Sequence, residues 1–134
     1  KRIAELQQNP LEKIILCGDF NENPDDEVLN ILTEGNSHNT KLENPFTNLF
    51  SRGDYSTFHY KSGLLFDQIL LSEHFFNQNS IIQFDSAAVF NHHQLTVKEK
   101  KSSGRPFRTF AGTRYLGGYS DHFPIFIKLK LKHN

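Results

Sequence analysis

Three short stretches of this sequence carry residues suited to chemistry. They are Cys17-Gly18-Asp19-Phe20-Asn21, Phe66-Asp67-Gln68-Ile69-Leu70 and Gly118-Tyr119-Ser120-Asp121-His122-Phe123-Pro124. Carboxylates and an amide oxygen suit a hard cation, and an imidazole can move a proton or steady developing charge. Alternate residues leaving a strand end can face one side, so Asp19 and Asn21 can converge on a metal ion or an oriented water. The same Asp-x-Asn also serves as an Asx-capped turn. Asp19, Asn21, Asn23 and Asp25 follow the 1-3-5-7 spacing of an EF-hand loop. That reading fails, because Pro24 stands where the sharp turn needs Gly and Asn30 where a bidentate Glu is required.

Asp67 lies among Leu65, Phe66, Ile69 and Leu70. A carboxylate in such a strand must be paired or hydrogen-bonded if buried. It can pair with a lysine, cap a backbone group, or hold an imidazole in one tautomer. Asp121 and His122 precede an apolar run, and neighbours in extended chain face opposite ways. One of the pair can therefore meet a metal while the other meets substrate, although a His beside an Asp is also a common structural pair. Gly117-Gly118 permits close backbone approach or simply makes a turn. His59 lies mid-strand near these residues and could touch substrate. His92-His93 has no partner at zinc spacing, and Ser120 lacks the Gly-x-Ser-x-Gly turn of a nucleophile elbow. No phosphate-binding loop or dinucleotide fingerprint occurs.

The elements that must position these residues read as mixed α and β. Lys1 to Gln8 reads as the end of a helix, broken by Asn9-Pro10. Lys13 to Cys17 is an apolar run expected to be a buried strand, with Cys17 as a packing residue. Asn23-Pro24-Asp25-Asp26 predicts a helix start with Asn23 as N-cap. Val28, Leu29, Ile31 and Leu32 are its expected buried side and Gly35 its end. Residues 36–45 read as polar loop. Thr57 to Tyr60 and Leu64 to Leu71 predict a hairpin turning at Lys61-Ser62-Gly63. Ile81 to Phe90 holds a further strand, and Phe123 to Leu131 is the last. In that strand Lys128, Lys130 and Lys132 share one solvent face and guard an edge. Between them, Asn91 to Gly118 is long, irregular and basic, as functional loops often are.

Composition narrows the classes. With 134 residues and 37% hydrophobic content, the chain can bury a core as one globular unit. No apolar run approaches the length of a membrane-spanning helix. The formal net charge of zero argues against a protein that coats polyanions and leaves local basic patches open. One cysteine excludes an intrachain disulfide, and no segment reads as a signal peptide.

Taken in order, Gly18-Asp19-Phe20-Asn21, Asp67-Gln68-Ile69-Leu70 and Ser120-Asp121-His122-Phe123-Pro124 resemble the endonuclease/exonuclease/phosphatase superfamily, which includes DNase I and exonuclease III. The resemblance runs from the strand before Gly18 to the final strand and matches the C-terminal half of that fold. It implies an α+β fold, half of a four-layered α/β sandwich with a mixed, mostly antiparallel sheet. It implies a Mg²⁺- or Mn²⁺-dependent hydrolase of phosphodiesters or phosphomonoesters. Asp19 would position or deprotonate the attacking water, and Asn21 would bind the phosphate or assist the metal. Asp67 would orient His122, and His122 would contact a phosphate oxygen. Asp121, with Asp19, would serve the metal. Pro106 to Ile127 is similar to bacterial members. His59, Arg105 and Arg108 are the expected substrate contacts, in a segment that interleaves bases with Phe107 and Phe110. The substrates implied are nucleic acid, an inositol phosphate or a phospholipid headgroup. The family's N-terminal half should bring a metal-binding Glu with no counterpart here. These 134 residues alone are therefore expected to be inactive and to need that half or a dimer partner. The rival expectation is a scaffold that keeps the fold without the activity.

Overall fold

A computed structural model describes residues 13–34, 41–102 and 104–132. Among them the architecture is α+β, and every strand pair is antiparallel. The expected helix end at Lys1 to Gln8, the break at Asn9-Pro10 and the stop at Gly35 lie outside these residues. So do residues 36–40 of the loop expected over 36–45, and in the rest of it Leu42–Glu43 forms strand β2.

Strand β5 (Asp67–Ser72) is the centre of a three-stranded sheet, between β1 (Ile15–Asp19) and β2. Its residues alternate between two cores. On one face Leu70 packs with Leu29 and Leu42, joined by half-buried Leu16, Phe20 and Leu32. Leu29 and Leu32 come from helix α1 (Glu27–Glu34). On the other face Ile69 joins Leu65 with Phe46 and Leu49 of helix α2 (Phe46–Ser51). That cluster also takes Ala87 and Val89 of strand β6 (Ile82–Val89) and Ile125 and Ile127 of β9 (Ile125–Leu131). Burying a side chain such as Phe46 or Leu70 contributes about 1.5–3 kcal/mol each.

Several local expectations need correction. Leu64 to Leu71 is not one strand. The hairpin is β3 (Thr57–His59) with β4 (Ser62–Leu64), turning at Tyr60-Lys61, whereas β5 leaves it to pair with β1 and β2. Strand β1 is not buried, and Cys17 is exposed. Among the described residues β1 has a strand partner on one side only, and the second core covers β5 without reaching it. Of the expected buried side of α1, only Leu29 is buried, and Ile31 is 67% exposed. Asn23 does not cap α1. Its side-chain oxygen accepts from Leu65 N–H at 3.0 Å, and Asp26 Oδ2 accepts from Asn23 N–H at 2.6 Å.

Two strands match their expected positions. β6 lies within Ile81 to Phe90, and β9 sets exposed Lys128 and Lys130 on the face opposite Ile125 and Ile127, with one edge unpaired. The segment 91–118 is more ordered than its sequence suggests. It contains 3-10 turns at His93–Leu95 and Lys100–Ser102, and a small hairpin of β7 (Phe110–Ala111) with β8 (Arg114–Tyr115). No helix among the described residues is long and apolar enough to cross a membrane.

Candidate active site

The β1–β5 register sets Asp19 directly opposite Asp67. Residues opposed across an antiparallel pair share a face, with Cβ atoms about 5 Å apart, and like charges there repel. Such a pair needs something positive nearby. Asp67 is also hydrogen-bonded by His122, whose Nδ1 lies 2.6 Å from Asp67 Oδ2. With a carboxylate as acceptor, Nδ1 is the protonated nitrogen, and Nε2 is left to face outward. Both side chains are half-buried, which keeps the contact from being fully screened by water.

Two residues that the sequence reading did not single out hold this pair. Ser56 is fully buried, and its Oγ accepts from Asp67 N–H at 3.2 Å. Its carbonyl accepts from Phe123 N–H at 2.7 Å. Thr57 forms a bridge with His122, and its Oγ1 donates to the Asp121 carbonyl at 2.9 Å. The entry to β3 therefore fixes the backbone on both sides of the Asp67–His122 contact. Buried Phe123 anchors the next position, and Ser120 Oγ accepts from His122 N–H at 3.0 Å. A Ser-Thr pair opening a strand is a common pattern, and nothing in its spacing marks this role.

The loop after β1 carries Asn21 with φ at +54°, a left-handed conformation that Asn tolerates. Asn21 N–H donates to Asp19 Oδ1 at 3.0 Å, so the Asx turn is present and presents both side chains to solvent. A buried amide underpins the loop. Gln68 Nε2 donates to the Glu22 carbonyl at 2.6 Å and to the Leu65 carbonyl at 3.0 Å, while its Oε1 accepts from Asn44 Nδ2 at 2.7 Å. Gln68 is fully buried and completely used, as a buried amide must be. Its place beside Asp67, on the opposite face of β5, is the only sequence signal for it. In the same loop the hydrogen bond with Asp26, together with burial and the Asp26 charge, holds the Glu22 carboxyl above its usual range.

Asp121 is exposed, its carbonyl held by Thr57. Among the described residues no three His, Cys, Asp or Glu side chains gather as a metal cluster. Asp19 and Asp121 are exposed and carry hard oxygen donors, and Asp67 lies opposite Asp19 on β5. Donors of this type suit Mg²⁺, which binds through one or two carboxylates and keeps several waters.

His59, Arg105 and Arg108 come together away from Asn21. They line a cleft of about 750 Å³ with Phe58, Tyr60, Arg114 and Tyr115. The Arg105 guanidinium lies 4.3 Å from the centre of the Phe58 ring, a cation–π contact. The cleft adjoins the first group of residues, because Thr57, which bridges to His122, is followed directly by Phe58. Tyr119 N–H also donates to the Phe107 carbonyl at 2.8 Å, tying the cleft wall to the strand entry that bears His122.

No curated protein and no solved structure matches the chain significantly. A family model does, over residues 1–131, which takes in every residue described above except Lys132. A match of that extent, over a chain whose Asp19, Asp67 and His122 converge as they do, shows that the chain belongs to the Endonuclease/Exonuclease/phosphatase family, whose members are hydrolases of phosphoester bonds.

Proposed function

We propose that the chain forms the C-terminal half of a Mg²⁺- or Mn²⁺-dependent phosphoesterase that cleaves a phosphate ester with water as nucleophile. The observation that carries this reading is the 2.6 Å Asp67–His122 contact on the strand directly opposite Asp19. Asp19 accepts the proton of the attacking water, and Asn21 holds a phosphate oxygen. Asp67 accepts from Nδ1–H and steadies the imidazolium form of His122, whose Nε2–H meets the phosphoryl oxygen on which charge develops. The water oxygen bonds to phosphorus as the ester oxygen departs, and the departing oxygen takes a proton from solvent. Asp19 and Asp121 hold the cation, which when bound supplies Lewis-acid polarisation of the phosphoryl group. His59, Arg105 and Arg108 hold the rest of the substrate.

The remaining acidic ligand comes from an N-terminal half in the full-length protein. The isolated 134 residues are accordingly expected to turn over slowly or not at all. The test is a Mg²⁺-supplemented panel of single-stranded DNA, abasic duplex DNA, an inositol polyphosphate and sphingomyelin, assayed with the full-length protein and its Asp19→Ala variant. At least one member should be cleaved, and Asp19→Ala should slow that cleavage by about 10²–10⁴-fold. A full-length protein that binds neither Mg²⁺ nor Mn²⁺ and cleaves no member would be a scaffold, contrary to the proposal.

A further inference from the structure

The 750 Å³ cleft beside the Asp67–His122 pair is not merely cationic. Residues 97–116, which form much of its wall, hold six basic side chains and one acidic, in a chain whose net charge is zero. Local charge of this kind draws in a polyanion where the whole molecule does not. Charge alone would suit any phosphorylated ligand. The aromatic residues are more selective.

Tyr60 is 84% exposed, and Tyr115, also lining the cleft, is 68% exposed. Neither ring is buried in a core, although aromatic side chains ordinarily dominate cores. Tyr60 also occupies the first position of the two-residue β3–β4 turn with φ at +51°, a conformation such turns give to Gly. A bulky residue held there stores backbone strain, and strain of this kind gathers at functional sites. The His59 ring meets Tyr60 edge-on at 4.4 Å, and the Phe110 ring meets Tyr115 at 5.4 Å, so each exposed tyrosine has one aromatic neighbour beside it. Arg105 is likewise set by its contact with Phe58, while Arg108 and Arg114 line the same cleft.

We propose that this cleft is a base-stacking subsite for single-stranded nucleic acid. Tyr60 and Tyr115 take unpaired bases, and Arg108 and Arg114 take the adjoining phosphates. The proposal rests on the phosphodiester reading of the neighbouring centre and names its substrate class. Stacking on an aromatic ring needs a free base face, which a duplex hides and a single strand offers. An inositol phosphate or a lipid headgroup has no aromatic face and would leave both exposed rings idle.

The test is fluorescence anisotropy with a labelled oligo-dT of about 12 nucleotides, within the span single-strand grooves cover. The protein is full-length, carries His122→Ala and is held in EDTA, so that no strand is cut. The comparators are a sugar–phosphate strand of the same length without bases, and the oligo-dT annealed to its complement. Both should bind at least about 10-fold more weakly than oligo-dT. Tyr115→Ala should weaken oligo-dT binding by about 5- to 100-fold and leave the base-free strand unchanged, while Tyr115→Phe should keep the affinity. Tyr60→Gly is the sharper variant. It relieves the positive φ and should melt no lower than the parent protein, yet it should lose oligo-dT affinity to the same degree. Equal affinity for oligo-dT and the base-free strand would overturn the proposal, as would tyrosine variants that bind like the parent. If the strands are discriminated as expected while wild-type turnover does not depend on His122, the subsite stands and the catalytic centre falls.

Discussion

Asp67→Asn would keep the size of the side chain that meets His122 and alter only what it offers. A carboxylate accepts the Nδ1 proton, whereas an amide can turn its NH₂ toward the ring and select the other tautomer. In the full-length protein this variant should lower kcat by about 10²–10⁴-fold with little change in KM, by the logic of other Asp-oriented histidines. A change confined to KM would mean that the pair serves binding. Glu22 gives a prediction of the opposite kind, on stability and pH. Its carboxyl binds its proton more tightly in the folded chain, chiefly through the hydrogen bond with Asp26. The folded state therefore holds more protons than the unfolded one between the ordinary and the raised pKa, and stability falls as pH rises through that window. Glu22→Gln should raise the melting temperature at neutral pH and lose the advantage below the ordinary carboxylate range. A gain that is greatest in acid would contradict that assignment.

At the scale of elements, the centre depends on side chains whose roles had little trace in the sequence. Asp19, Asp67 and His122 were legible because three short motifs in fixed order are specific together. Ser56, Thr57, Asn44 and Gln68 were not, because a buried hydroxyl or amide is defined by partners far away in the chain. Gln68 reaches Glu22 and Asn44 across 46 and 24 positions. Gln68→Leu would leave the Glu22 and Leu65 carbonyls and the Asn44 amide without it, at about 1–3 kcal/mol for each group left unsatisfied. A loss of at least roughly 3 kcal/mol in chemical denaturation is expected, with weakened turnover because the Asn21 loop is released. The hairpin was misjudged for a related reason. Leu64 to Leu71 is apolar except at Asp67 and Gln68, and periodicity does not reveal that the chain leaves the hairpin after Leu64 to pair as β5 with β1 and β2. Gly118 was read as a turn or a close approach to ligand. Its close approach is to backbone, since a Cβ there would overlap the Phe107 carbonyl. Gly118→Ala should therefore lose at least about 2 kcal/mol, as overpacked sites do, and disturb the cleft wall.

At the scale of the whole molecule, the two cores are well formed around β5, and the surface beyond β1 and α1 is not covered by any described residue. Ile15, Cys17, Val28 and Ile31 are exposed. Its apolar run made Lys13 to Cys17 read as a buried strand, and that pattern is better explained if a further part of the protein lies against it. An account in which an N-terminal half completes the fold predicts that Cys17 reacts readily with a thiol reagent in the isolated chain. It should be protected by at least about 10-fold in the full-length protein, the factor of a 1.4 kcal/mol difference in accessibility. Equal rates in both would argue that this face stays open. The most direct measurement of the central claim is single-turnover cleavage by the full-length protein on its best substrate with saturating Mg²⁺, comparing wild type with His122→Ala. The account predicts a fall of at least about 100-fold with the melting temperature little changed, since the imidazole acts on the reacting phosphate. A His122→Ala protein that folds and cleaves at a rate near wild type would contradict it.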